Sequence, residues 1–177
     1  MVEVKRDATD ALFRREVKEL IDSAKREIMV IAGELSAYEF HDLKLATESA
    51  RDKGVKIRIY ASRPDQDAVN RLLYNGCEVY LGTEKPRDHY MIVDGISYMI
   101  SKKEKLSRGR TRVGGRYAKK HINDPKGAQE LIAYFEKLAR KAKKAEITGK
   151  DPLTRALESP ADWGIETDSS NIHDYFG

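Results

Sequence analysis

The chain has 177 residues, with 33 Lys and Arg against 29 Asp and Glu, for a formal net charge of +4. That length holds one domain with a sizeable core plus an appendage. No apolar run approaches a membrane span, and the N-terminus lacks the apolar segment of a signal peptide. Cys77 stands alone, which excludes a disulfide framework and a cysteine metal cluster. A soluble cytoplasmic protein is expected, and no motif calls for a cofactor or a metal ion.

The charge is unevenly placed. From Glu146 onward there are seven acidic and two basic residues, a net −5, while the body before it carries 31 basic and 22 acidic residues, a net +9. A basic body followed by an acidic tail points to a polyanion as the body's partner and a separate task for the tail.

In chain order, Asp7 to Arg26 reads as an amphipathic helix, with Leu12, Phe13, Val17, Leu20, Ile21 and Ala24 at helical spacing and Asp7 or Thr9 as cap. Ile28 to Ala32 is a continuous apolar run, the pattern of a strand covered on both faces. Glu34 to Lys53 is predicted helical, burying Phe40, Leu43, Leu45 and Ala46 and ending at Gly54. Val55 to Ala61 is a second strand, Asp65 to Asn75 a helix closed by Gly76, and Cys77 to Leu81 a third strand. Pro86 marks the start of a fourth, running from Asp88 to Val93, because proline is poorly suited to a central strand. Asp94-Gly95 is a hairpin signal before Ile96 to Ile100. Pro125 to Lys144 is the last core helix, with Ala128, Leu131, Ile132, Phe135, Leu138 and Ala139 on one stripe. The alternation predicts an α/β fold, a mixed, mainly parallel sheet flanked by helices on both faces. The predicted boundary separates a body, 1–147, from a flexible acidic tail, 148–177.

Side chains alternate along a strand, so Arg87, His89, Met91 and Val93 are expected on one face. That face starts with a guanidinium and an imidazole and ends apolar, which suits a phosphate at a strand end. The run Arg87-x-His89-x4-Asp94 resembles the signature of the phospholipase D-like superfamily, a His-x-Lys pair followed after four residues by Asp. The stretches Ala24 to Ile28, Ala50 to Ile59 and Asn75 to Val79 resemble the family as well, so the likeness runs from about residue 11 to about residue 138. It implies a phospholipase D-like fold. One copy of the motif is present, and single-copy members pair two chains across a twofold axis, so the resemblance also implies a homodimer.

In the family the first His attacks phosphorus and the Lys residues hold phosphate oxygens. Here Arg87 stands at the nucleophile position, and a guanidinium offers no lone pair for that attack, although it grips phosphate well. His89 stands at the Lys position and still exchanges a proton near neutral pH. The residues leave three readings of this motif: a degenerate phosphate-binding site, a half-buried His89 bonded to Asp94 or Asp88, and retained hydrolysis by a metal-independent nuclease using His89 with Asp94. Ser101 and Lys103 fall near the family's Gly-Ser-x-Asn segment, without its Gly.

Lys102 to Lys120 contains nine basic residues and one acidic residue, Glu104. Gly109, Gly114 and Gly115 mark it as a mobile loop, and Tyr117 offers a stacking surface. Lys102, Lys103, Arg108, Arg110, Arg112 and Arg116, with Arg87, His89 and Ser101, are the candidate phosphate-binding set for DNA or RNA. The alternative is a solvated insertion.

At the C-terminus, Ile172, Tyr175 and Phe176 lie at i, i+3 and i+4, so one helical turn puts them on a single face. The stretch resembles the PCNA-interacting peptide, Gln-x-x-aliphatic-x-x-aromatic-aromatic, with Ser169 at the Gln position. That resemblance implies docking on the PCNA sliding clamp, as in archaeal and eukaryotic replication and repair proteins. The alternative is a tail folded onto its own domain through Trp163 and Phe176. The leading expectation is a non-catalytic nucleic-acid-binding protein at the clamp. A nuclease and a ligand-sensing module, a use of a similar fold in archaeal regulators, are the other two.

Overall fold

The computed structural model describes residues 2–7, 10–35, 47–108 and 111–148, with side chains over 15–33, 47–101 and 118–148. The chain divides after Ile147 into two units, and all of the described residues but Thr148 belong to the first. The elements are β1 (Val2–Asp7), α1 (Asp10–Asp22), β2 (Glu27–Leu35), α2 (described over 47–52), β3 (Lys56–Pro64), α3 (Gln66–Tyr74), β4 (Glu78–Leu81), β5 (His89–Val93), β6 (Ser97–Arg108), β7 (Thr111–His121), α4 (Pro125–Lys141) and β8 (Lys143–Lys144). They form one eight-stranded sheet in the order β1-β7-β6-β5-β2-β3-β4-β8.

The apolar run of β2 is continuous because both of its faces are covered. Ile28, Val30 and Ala32 alternate into a core with Leu20, Ile21 and Ala24, with Val69 and Leu72 of α3, and with Met91, Val93 and Met99. Met29 and Ile31 alternate into a second core with Tyr60, Ile92 and Tyr98 beneath Phe135 and Leu138 of α4. Phe135 is fully buried, and its removal is expected to cost about 3–5 kcal/mol. Helix ends follow local chemistry. Asp65 caps α3 by accepting the Asp67 N–H at 2.8 Å, and Asp124 caps α4 by accepting the Gly127 N–H at 3.0 Å, with Pro125 in the first turn. Gly54 and Gly76, past the ends of α2 and α3, take the left-handed φ values of 75° and 79°.

The sheet is mixed, but the expected mainly parallel arrangement is not what forms. Among the described residues only β2–β3 and β3–β4 pair in parallel; the other five neighbouring pairs are antiparallel. Two stretches account for the difference. Val2–Asp7 is a strand paired with β7, so Asp7 belongs to β1 and the helix starts at Asp10. The supposed loop 102–120 is the larger part of a long ribbon, β6 against β7, in register from Tyr98↔His121 to Arg108↔Thr111. Only Gly109 and Arg110 separate those strands in the sequence, and a two-residue Gly-X link is a hairpin signal. Glu34 and Leu35 extend β2 and do not begin the following helix. Phe40, Leu43, Leu45 and Ala46 lie outside the described residues, as do Arg110 and the tail residues Ser169, Ile172, Tyr175 and Phe176. No helix among the described residues is long and apolar enough to cross a membrane.

Candidate nucleic-acid interface

The segment before β5 is fastened to β3 and to α4. Tyr60 Oη donates to the Glu84 carbonyl at 2.8 Å, and Lys141 on α4 lies 3.6 Å from the Glu84 carboxylate. Pro86 is buried, and a Cβ on Gly33 near the end of β2 would sit 3.9 Å from both Pro86 Cδ and the Lys85 side chain. Ser62 Oγ donates to the Gly33 carbonyl at 2.7 Å, joining β2 and β3 at the same end. The chain therefore enters β5 at the carboxyl ends of the parallel strands, where α/β sheets bind ligands.

His89 is the first residue of β5 and is directly opposite Ser101 on β6. Both are half-buried. The same face continues as Met91↔Met99 and Val93↔Ser97, with Ala118 opposite Ser101 on β7. Met91, Val93 and Met99 enter the core beneath α1, so His89 and Ser101 form the polar end of an apolar row. Arg87 is exposed in the segment ahead of the strand. Tyr90 faces the other way, edge-on to Tyr134 of α4 with ring centroids 6.0 Å apart. Burial first, then the neighbouring Asp88 carboxylate, raises the Tyr90 pKa and keeps the phenol protonated.

Asp94 stands at the opposite end of β5, five residues and roughly 16 Å along the strand from His89. Its φ of 53° and the 72° of Gly95 are the positive pair that a tight hairpin turn requires. Its carboxylate accepts the backbone N–H groups of Lys25 at 2.9 Å, Arg26 at 2.8 Å and Glu27 at 3.0 Å. Its own N–H donates to the Glu27 carbonyl at 2.9 Å, and the Arg26 guanidinium donates to its carbonyl at 2.8 Å. Burial opposes the charged carboxylate, but the bonds from Glu27, Lys25 and Arg26 prevail and its pKa is lowered. Asp94 thus ties the β5–β6 turn to the start of β2, at the far end of β5 from His89.

The remaining candidates lie on the ribbon. Lys103 is opposite Arg116, Ser107 opposite Arg112, Lys102 opposite Tyr117 and Arg108 opposite Thr111. Lys120, part of the same charge run, serves α1 instead: its Nζ lies 3.1 Å from Glu16 and 3.8 Å from Glu19, with the Lys120 and Glu16 side chains 18% and 11% exposed. Lys105 falls on the same side of the ladder as Lys103 and was not singled out from the sequence; reading 102–120 as a loop concealed the alternation that groups them. Among the described residues no cluster of three His, Cys, Asp or Glu is placed to hold a metal ion.

No protein-family model matches the chain, and no curated protein matches its sequence. Solved structures do match its fold. Nuc, a phospholipase D family member from Salmonella typhimurium, aligns with a TM-score of 0.65 at 19% identity over 82% of this chain and 98% of its own. NucT from Helicobacter pylori aligns at 0.57 and 14% identity over 82% and 98%. TrmBL2, an archaeal chromatin protein with a novel mode of DNA binding, aligns at 0.53 and 18% identity over 81% of this chain and 54% of its own. The chain has the phospholipase D-like fold. At these identities the likeness extends to the fold alone.

Proposed function

We propose that this chain is a nucleic-acid-binding protein that keeps the phospholipase D-like fold without the family's phosphodiester chemistry. The observation that carries the reading is the ribbon: Lys102, Lys103, Lys105, Arg108, Arg112 and Arg116 sit on a β-hairpin that grows directly from the strand facing His89. Arg87, His89 and Ser101 supply phosphate ligands at its root. Arg87 at the nucleophile position grips an anion and attacks nothing. Two of the fold's neighbours fit this reading, one a phospholipase D family member and one a DNA-binding chromatin protein.

Replacing Lys102, Lys103, Arg108 and Arg112 with Gln is expected to weaken binding by about tenfold or more at moderate salt and to flatten the salt dependence. Unchanged affinity and slope, measured by fluorescence anisotropy, reject the reading. A second reading is metal-independent cleavage by His89, favoured by its half-buried place beside Ser101 at the carboxyl ends of the parallel strands. Cleavage that persists in EDTA and vanishes in His89→Ala supports it, and no cleavage by purified protein refutes it.

The tail gives the protein an address. Ile172, Tyr175 and Phe176 match the PCNA-interacting pattern, Ser169 departs from its Gln, and the acidic linker before them would let the body reach DNA while the tail is docked. Calorimetric titration of full-length protein into an archaeal PCNA is expected to show binding that Tyr175→Ala/Phe176→Ala abolishes. No heat, or heat unaffected by the double substitution, removes the clamp and with it the proposed replication or repair role.

A further inference from the structure

The ribbon is two different surfaces back to back. β5 pairs with β6 only as far as Ser101, and β1 pairs with β7 only from Arg116 onward. Among the described residues, 104–108 and 111–115 therefore pair only with each other, as a two-stranded arm roughly 17 Å long that continues the ribbon beyond Lys102↔Tyr117 and Lys103↔Arg116. Opposite residues of an antiparallel ladder share a face, and residues two apart along a strand do too. One face follows from Ser101 and holds Lys103↔Arg116, Lys105↔Gly114 and Ser107↔Arg112. The other holds Lys102↔Tyr117, Glu104↔Gly115, Leu106↔Val113 and Arg108↔Thr111. Glu104, the one acidic residue of the arm, is on the second face. The first face is of a single sign, and the nearest acidic position in the ladder is Asp7, opposite Arg116 at the arm's base.

Exposed strand edges do need charge to prevent edge-to-edge pairing, but charge of either sign serves. A Lys directly opposite an Arg weakens the ladder that carries them. Asp7 stands beside that pair at the base, and farther out along the face an anion lying across it would offset the remaining positive charge.

We infer that the arm lies in the major groove of duplex DNA, with the Lys103, Lys105, Arg112 and Arg116 face toward the phosphates. The inference rests on the nucleic-acid reading above and adds the form of the nucleic acid and the face that meets it. Geometry selects the duplex. Two strands about 4.8 Å apart with their side chains fit a B-form major groove about 12 Å wide, whereas the deep, narrow major groove of A-form RNA excludes them. A single strand presents no groove, and the fold's stacking candidate on the arm, Tyr117, lies on the other face.

The test compares two substitutions of equal charge on the full-length protein, Lys103→Gln/Arg112→Gln on the single-sign face and Lys102→Gln/Arg108→Gln on the other. Affinities are measured for duplex DNA, single-stranded DNA and duplex RNA of one sequence and length across a salt series. Expected is a loss of about tenfold or more on duplex DNA for the first pair, with its salt slope falling by about 2, against a loss of about threefold or less for the second. The first pair relieves like-charge opposition, so its melting temperature should be no lower than that of the unsubstituted protein. Equal losses for the two pairs overturn the faced arm. Single strands or duplex RNA bound as tightly as duplex DNA overturn the groove while leaving nucleic-acid binding standing. Absence of binding to all three overturns the inference together with the reading beneath it.

Discussion

At the scale of single residues, Asp94 is a structural tether. Its carboxylate holds three consecutive backbone N–H groups, Lys25 to Glu27, and its turn conformation sets the β5–β6 hairpin. Those tasks are structural. His89 begins the far end of β5 and Arg87 precedes it, both away from this tether. Asp94→Ala is expected to destabilise the fold by about 2 kcal/mol, since charge-assisted bonds are lost and the N–H groups are left to water. The loss should depend on pH. With the folded pKa lowered, the carboxylate's contribution is complete above the unfolded carboxylate range and fades as pH falls through the lowered value. Urea unfolding of both proteins from neutral to acidic pH checks this: the stability gap should close on acidification, and a constant gap would contradict the ionic tether.

At the scale of elements, the ribbon's root and α4 interlock closely. Tyr98 of β6 stacks on His121 of β7 at 4.4 Å between ring centroids, and Tyr98 Oη donates to Asp124 Oδ2 at 2.9 Å. Asp124 caps α4 with its other oxygen. Burial and that bond to Asp124 push the Tyr98 phenol up to about 12, so it remains a donor through the ordinary pH range. Gly127 has no room for a side chain, because a Cβ would strike the Tyr98 hydroxyl and come within 2.7 Å of Asp124 Oδ2. Gly127→Ala should therefore lower stability by about 1–3 kcal/mol despite alanine's better helix propensity. A thermal melt showing no decrease would mean that the interlock yields freely. This junction connects the ribbon's root to the α4 core, so a load on the arm is carried into packed structure.

For the whole molecule, one copy of the motif per chain raises the question of its partner. Single-copy members of the superfamily that the sequence resembles work as pairs, and two chains meeting near the His89 ends of β5 would place two arms on one nucleic acid. Light scattering at micromolar concentration is expected to give twice the 20.1 kDa chain mass. A monomeric mass would leave each arm to bind alone. The body's excess of positive charge and the tail's excess of negative charge fit the proposed division of labour, the body toward phosphate and the tail toward a protein groove.

The sequence by itself determined the covered strands and the glycine-closed helix ends, which rest on local signals, and its resemblance implied the phospholipase D-like fold. The β2 run must be apolar on both sides, Gly54 and Gly76 meet a backbone demand, and Asp94-Gly95 encodes its own turn. It also indicated the Arg87–His89 end of β5 as the place to look. Only the tertiary structure decided what the basic stretch is and what Asp94 does. Strand pairing is a contact between distant residues: β1 at the N-terminus completes β7, and neither reads as a strand until the other is beside it. The same holds for Asp94 and Lys120, whose partners lie on β2 and α1, more than sixty and a hundred residues away in the chain. Charge count indicated a polyanion; the register of the ladder decided which charges share a face.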